Sequence, residues 1–203
     1  MLPVKSKYKI AKRLGASIFE QTQTQKFALS EARSKKITRS RGRGGSDYGR
    51  QLLEKQRVRF TYGISEKQLR NYAKSAYREE NPSLALHRAL EGRLDSVVYR
   101  AGFALTRRAA RQVVSHGHIV VNGTRVTIPS RALKKGDVFS VREGSSKSPL
   151  FAHLGNPDIM TGRPLPSWIE SDASKMEATV VGEAYAGPES TLDYPAVFEF
   201  YSR

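Results

Sequence analysis

Cysteine is absent from the 203 residues. That excludes disulfides, thiol nucleophiles and zinc sites built on thiolate pairs. Long apolar runs are also missing: no stretch approaches the roughly 18 residues of a membrane-spanning helix. No apolar segment precedes a small-residue cleavage site near the N-terminus, so no secretory signal is expected. There is no Gly-rich loop followed by Lys-Ser or Lys-Thr to cradle nucleotide phosphates, and no nucleophile elbow. Histidine is scarce. His87, His116, His118 and His153 are too few and too scattered to suggest a metal centre. These absences point to a soluble intracellular protein that binds rather than catalyses, with no metal and no cofactor.

Acidic charge is the next shortage. Nineteen acids face 35 Lys and Arg, for a net charge of +16 and a pI near 10.2. The imbalance is uneven. Residues 1–50 carry 13 basic and 3 acidic groups, residues 51–149 carry 19 and 8, and residues 150–203 carry 3 and 8. A polyanion would relieve the self-repulsion of the first two segments. Nucleic acid fits best, because each neutralised phosphate releases a counterion. A membrane surface is the other anionic candidate.

Local patterns divide the chain. Residues 1–46 suggest an extended basic arm with little regular structure of its own. Lys5, Lys7, Lys9, Lys12 and Arg13 lead it; Arg39, Arg41 and Arg43 close it among glycines that let the backbone approach phosphate. Its apolar residues, among them Tyr8, Ile10, Leu14, Phe19 and Phe27, exceed what a pure tail needs. Order at least in the bound state is expected. Ser46 or Asp47 can cap a helix running through Tyr48 to about Arg59. Ser65-Glu-Lys-Gln68 has the form of a capping box opening a second helix to about Glu80, which Asn81-Pro82 stops. With Ser83 as cap, Leu86, Leu90, Leu94, Val97, Val98 and Ala101 predict one buried helix face, ended by Gly102.

Thr106 can cap a short helix from Arg107 to Ser115. Asn122-Gly123 between β-branched runs predicts a hairpin. Lys134-Lys-Gly-Asp137 predicts a turn and Val138–Arg142 a third strand. The stretch from Gly144 to Pro149 has linker composition. Beyond it, Ala178–Val181 and Val197–Phe200 look like strands. The short helix carries the best-defined binding surface: Arg107 and Arg111 share a face, Arg108 and Gln112 lie beside them, and His116 and His118 follow. Its free N-terminal amides suit an anion, and the hairpin adds Asn122 and Arg125.

Arg93-Leu-Asp95, Thr106-Arg-Arg-Ala-Ala-Arg-Gln112, His116-Gly-His-Ile-Val-Val-Asn-Gly123, Pro129-Ser130 and Gly136-Asp137, in that order and spacing, resemble the RNA-binding module of the S-four family. A similar module is appended to pseudouridine synthases, some tyrosyl-tRNA synthetases and small heat-shock RNA binders. Here the flanks resemble the helical domain of the small-subunit ribosomal protein: Ser46-Asp-Tyr-Gly49, Gln51-Leu-Leu-Glu-Lys-Gln56, Tyr62-Gly63 and Glu66-Lys-Gln-Leu69. The closing Glu199-Phe-Tyr-Ser-Arg203 resembles its C-terminal end.

The resemblance implies an α+β fold in three parts: a basic N-terminal arm (1–46), a helical domain (47–91, completed by 150–203) and an inserted helix-helix-hairpin-strand module (92–149). The acidic C-terminal segment is 150–203. It implies a structural constituent of a bacterial-type or organellar ribosome, cytoplasmic in the former, that binds small-subunit ribosomal RNA early and nucleates assembly of the 5′ domain. The fifth and third small-subunit proteins would be its neighbours, with roles in decoding accuracy and in the messenger entry path. Candidate RNA contacts are Arg93, Arg107, Arg108, Arg111, Gln112, His116, His118, Asn122 and Arg125 in the module, Lys5, Lys7, Lys9, Lys12 and Arg13 in the arm, and Tyr48, Arg50, Lys55 and Arg57 on the first domain helix. Arg39, Arg41 and Arg43 are the candidates for messenger. Many relatives hold zinc with a cysteine cluster in the arm, which this chain lacks. Asp95 sits where a synthase could place a catalytic Asp; on a buried helix face, a structural ion pair or a helix contact is the expectation. A non-ribosomal accessory RNA binder and a modifying enzyme are the alternatives, and the chain has no room for a separate catalytic domain.

Overall fold

The computed structural model describes residues 6–14, 18–19, 22, 24–38, 46–155, 165–172, 174–185 and 192–202. They form a mixed α+β protein of two compact units, Met1–Ser83 with Pro188–Arg203, and Leu84–Gly187.

The first unit is helical. The segment expected to be an extended arm contains α1 (Lys7–Leu14) and α2 (Gln25–Thr38). Its apolar residues explain the difference. Ala11, Phe19 and Phe27 are buried together, with Ile10, Ile18 and Phe60 packed against them, so the segment carries a small core of its own. Helix α3 (Asp47–Tyr62) starts at Ser46, whose side chain accepts from the Gly49 amide, and ends at Gly63 with φ +61°. Helix α4 (Glu66–Ala76) opens with the complete capping box: Gln68 N donates to Ser65 Oγ, and Ser65 N donates to Gln68 Oε1. It stops four residues before Glu80.

Val197–Phe200, expected as a strand, lies inside the C-terminal helix (Tyr194–Tyr201). Asp193 caps that helix by accepting from Ala196 N, and Pro195 sits in its first turn. These start signals outweigh the β preference of Val-Phe-Glu-Phe. The helix packs on α3 and α4, burying Tyr194, Ala196 and Val197.

Helix α5 (Pro82–Glu91) leads into the second unit, from Leu84 on, and α6 (Leu94–Arg100) follows it. The leucine face from Leu86 to Ala101 is buried as expected, but it is carried by two helices. Arg93 is extended (φ −68°, ψ 140°) and bridges to Ala132. Leu94 N donates to Arg131 O and Leu133 N to Gly92 O. Pairing with the 129–133 segment thus replaces helical bonds at the break. Gly92 fits there because a Cβ would meet Arg88 O at 2.8 Å.

Helix α7 spans Arg107–Ser115, and β1 (Ile119–Val121) and β2 (Thr124–Val126) form the hairpin. Asn122 and Gly123 have φ of 48° and 77°, the positive values a two-residue hairpin turn requires. Strand β3 (Val138–Val141) joins β4 (Ile169–Asp172) and β5 (Glu177–Val180) in an antiparallel sheet of order β2-β1-β3-β5-β4. Residues Gly144–Pro149 are no interdomain linker. Glu143–Ser145 and Pro149–Gly155 form 3-10 turns, and Phe151 and Leu154 enter the same core as Val98, Phe103, Val114, Ile119 and Phe139. The acidic segment is therefore divided. Its hairpin β4–β5 extends the module's sheet, and Pro188–Arg203, with the last helix, belongs to the helical unit.

Candidate nucleic-acid interface

Helix α7 is set by its two ends and one apolar face. Thr106 Oγ1 accepts from Ala109 N at 3.0 Å, while Ala110, Val113 and Val114 are buried. What remains outside is Arg108, Gln112, Ser115 and His116, all exposed. Arg108, Gln112 and His116 follow at intervals of four and form one row.

The other two arginines of the helix are partly withdrawn. Arg107 donates to Glu91 Oε1 at 2.9 Å and to Ser96 Oγ at 3.2 Å, and its guanidinium lies 4.7 Å from the Tyr99 ring centre. Glu91 is 1% exposed and also takes two bonds from Arg100, each 2.8 Å. Arg111 approaches Asp95 at 3.8 Å. Arg93 pairs with the same carboxylate through Nε–Oδ1 at 3.0 Å and Nη2–Oδ2 at 2.8 Å. Arg93 is itself 1% exposed. A guanidinium so enclosed has no face for phosphate, which corrects its expected role as an RNA contact. Asp95 takes part in the structural ion pair expected of it.

The hairpin's polar residues also work inward. Asn122 donates through Nδ2 to Asp137 Oδ1 and accepts from Val138 N, both at 2.9 Å. Arg125 donates to the carbonyls of Gly117 and His116 at 3.2 and 3.1 Å, satisfying the carbonyl end of α7 with a cation. It also borders a shallow groove with Ile128, Ser130 and Arg131. His118 Nδ1 lies 2.9 Å from Ser145 Oγ, its ring edge-on to Phe151. Burial pushes its pKa below the usual imidazole value, and the neighbouring His116, Arg142 and Arg125 push the same way. Arg131, Lys134, Lys135 and Arg142 are exposed on the same unit. The sequence patterns did not single them out, because they sit in turns and at a strand end rather than at helical spacing.

In the helical unit, Lys9, Lys12 and Arg13 are exposed and Lys7 is half-buried. Lys12 Nζ donates to Ser30 Oγ at 2.8 Å. Tyr48 is half exposed, its ring 5.7 Å from Phe200. Arg50 stays largely exposed, 3.9 Å from Asp193 and 3.7 Å from Glu199. Lys55 is buried, donating to Glu66 at 2.9 Å over the Phe200 ring. It holds the helices together and offers no charge to solvent, a second correction. Arg57 is bonded to Glu54 and to Leu14 O, each at 2.7 Å. Lys5, Arg39, Arg41 and Arg43 lie outside the described residues. Among the described residues, no group of three His, Asp or Glu could hold a metal ion, and no helix is long and apolar enough to cross a membrane.

The exposed cations of each unit suit contacts with phosphate. Comparison with known proteins places the chain in a family. The family described as "Ribosomal protein S4/S9 N-terminal domain" matches residues 4–91, and that described as "S4 domain" matches residues 92–139. Similar proteins named "Small ribosomal subunit protein uS4" include that of Borrelia recurrentis (strain A1), 41% identical over 98% of this chain and 96% of its own. That of Chloroflexus aurantiacus (strain ATCC 29366 / DSM 635 / J-10-fl) is 38% identical over 96% of each. That of Acetivibrio thermocellus is 49% identical over 67% of this chain and 65% of its own. With both family models matched in series and likeness along nearly the whole chain, this protein belongs to the uS4 family of small ribosomal subunit proteins.

Proposed function

We propose that this chain is a structural constituent of the small ribosomal subunit, and not an enzyme, that binds ribosomal RNA early and nucleates assembly of the 5′ domain. One observation carries the RNA reading: the exposed row Arg108, Gln112 and His116 stands on a helix whose other arginines are fixed by buried carboxylates. A surface held in place before binding loses little side-chain freedom on meeting phosphate. A-form RNA hides its major groove from side chains, so recognition is by backbone, 2′-hydroxyls and shape. Phosphate contacts supply most of the affinity and the register.

In the assembled subunit the fifth and third proteins are its neighbours. The first contact is tied to decoding accuracy, and all three line the messenger entry path. Arg39, Arg41, Arg43 and Arg50 are the side chains we assign to messenger, by their place beside Ser46-Asp-Tyr48. Membership of the uS4 family supports this picture.

The test is the affinity of the purified chain for small-subunit RNA across a salt series. The log of the binding constant should fall steeply and linearly with the log of salt. A flat affinity between low and moderate salt contradicts the mechanism.

A further inference from the structure

The chain has asparagine at Asn71, Asn81, Asn122 and Asn156, followed in turn by Tyr, Pro, Gly and Pro. Proline has no N–H, so the nitrogen after Asn81 and Asn156 cannot attack their side chains. Tyr72 crowds the nitrogen after Asn71 with a bulky side chain. Glycine leaves its nitrogen unshielded and its backbone free to turn. Asn122-Gly123 is therefore the pair in this sequence best suited to attack of the main chain on a carboxamide, and asparagine is among the chemically labile residues. Both residues are exposed to water.

The fold holds this carboxamide at both ends. Nδ2 donates to Asp137 Oδ1 at 2.9 Å, and Oδ1 accepts from Val138 N at 2.9 Å. The backbone adds a third tie, from Asn122 N to Val138 O at 2.8 Å. Asp137 is fixed in its turn by the Lys134 amide at 2.8 Å. Val121 and Thr124 are paired across the hairpin, and Asn122 and Gly123 between them have φ of 48° and 77°. The leaving nitrogen and the carbonyl oxygen are thus both engaged at the start of β3, and the paired strands keep the turn in one conformation.

We propose that Asn122 is a deamidation site that the folded module holds closed and that opens when the hairpin separates from β3. In the opened chain the Gly123 nitrogen attacks Asn122 Cγ. The new N–C bond forms, the Cγ–Nδ2 bond breaks, and ammonia leaves with the proton of the Gly123 amide. Water then opens the cyclic imide. Breaking the new bond gives aspartate; breaking the original peptide bond gives isoaspartate, with the side-chain carbon carried into the main chain. One water is consumed and one ammonia released. Aspartate puts a carboxylate where Nδ2 donated to Asp137, so a donor and its acceptor become two facing like charges. Isoaspartate lengthens the tight turn. Either way the hairpin refolds with its tie to β3 impaired. The change is not reversed by refolding, so it marks chains that have spent time open. The site goes beyond the RNA-binding reading and does not depend on it.

The test incubates the full chain in mildly alkaline buffer, folded or unfolded in guanidinium chloride. Trypsin cleavage after Arg111 and Arg125 releases Gln112–Arg125, in which Asn122 is the single asparagine, and mass spectrometry reads the exchange of its NH2 for OH. The unfolded chain should react at Asn122, and the folded chain should be slower by about tenfold or more. Asp137→Ala frees Nδ2 and should speed the reaction in the folded chain, with the fluorescence of Trp168 in the module's core confirming the fold. Asn122→Asp should unfold at lower denaturant than the parent. Equal rates in the folded and unfolded parent would overturn the inference, as would an unreacted Asn122 in denaturant or a folded Asp137→Ala chain no faster than the parent. An Asn122→Asp chain as stable as the parent would overturn the like-charge consequence. If Asp137→Ala does not fold, the ratio of rates in the parent decides alone.

Discussion

Arg93 and Asp95, two residues apart across the break between α5 and α6, form a two-pronged ion pair in which both side chains are almost wholly buried. The same break is laced to the loop after β2: Asp95 N donates to Pro129 O and Leu94 N to Arg131 O. The pair therefore holds the first helices of the module against the end of its hairpin, and so sets the frame on which α7 rests.

Arg93→Ala leaves a buried carboxylate whose remaining ion-pair partner among the described residues is the more distant Arg111. Removing one partner of such a pair costs about 3–5 kcal/mol. Urea unfolding followed by the fluorescence of Trp168, the single tryptophan and a residue of this unit's core, should show the loss. Replacing both residues by apolar ones should recover part of it. A variant as stable as the parent would show that the pair does not hold the break.

Arg107 and Arg108 are adjacent in sequence and should separate in behaviour. Arg108→Gln removes an exposed cation, so stability should stay within about 0.5 kcal/mol. RNA affinity should fall, and the salt slope should drop by about 0.7–0.9. Arg107→Gln takes one of two guanidinium partners from buried Glu91, and should cost about 1–3 kcal/mol of stability. Binding and melting measured on both variants decide it; equal stability losses would contradict the division of roles.

Arg125 packs its guanidinium over Gly117, whose φ is +74°. A side chain there meets a strained backbone and runs into Arg125. Gly117→Ala should therefore lower stability by at least about 1 kcal/mol and weaken RNA binding by loosening the end of α7. Arg125→Lys, which keeps charge but loses the fork, should retain only part of the cap. Hydrogen exchange of the last turn of α7 would report both; unchanged protection would contradict the capping role.

Asp137 carries a pH signature. The Lys134 amide donates to Oδ2 at 2.8 Å and lowers its pKa, with Asn122 and the charges of Arg131 and Lys134 adding and burial opposing. The folded value lies below the unfolded value of about 3.9. Its contribution is thus present in full above that value and is lost as pH falls through the folded one. Thermal melts should drop on acidification from about pH 5 to about pH 2. Asp137→Asn should flatten part of that fall, and a variant with the parent's full acid sensitivity would assign the effect elsewhere.

Patterns that bind locally were legible in the sequence. The Thr106 cap, the Ser65 box and the Asn122-Gly123 turn depend on neighbours in the chain, and each stands as expected. The buried face from Leu86 to Ala101 was legible too, but its break was not, because Arg93 bridges to Ala132, far along the chain. Val197–Phe200 misled because Val and Phe favour strands while the start signals just before them, Asp193 and Pro195, favour a helix. Among candidate site residues, charge put Arg108, Arg93 and Lys55 on one footing and could not tell that the first is exposed and the other two are buried. Their carboxylate partners, Asp95 and Glu66, show their effect only in the folded state.

The central claim, that this chain is a built-in part of the small ribosomal subunit, is tested most directly by sedimentation of a cell extract at low and high salt. Comigration with small subunits that survives high salt is the predicted result. Release at moderate salt would mark an accessory factor, and absence from ribosomal fractions at every salt concentration would contradict the claim.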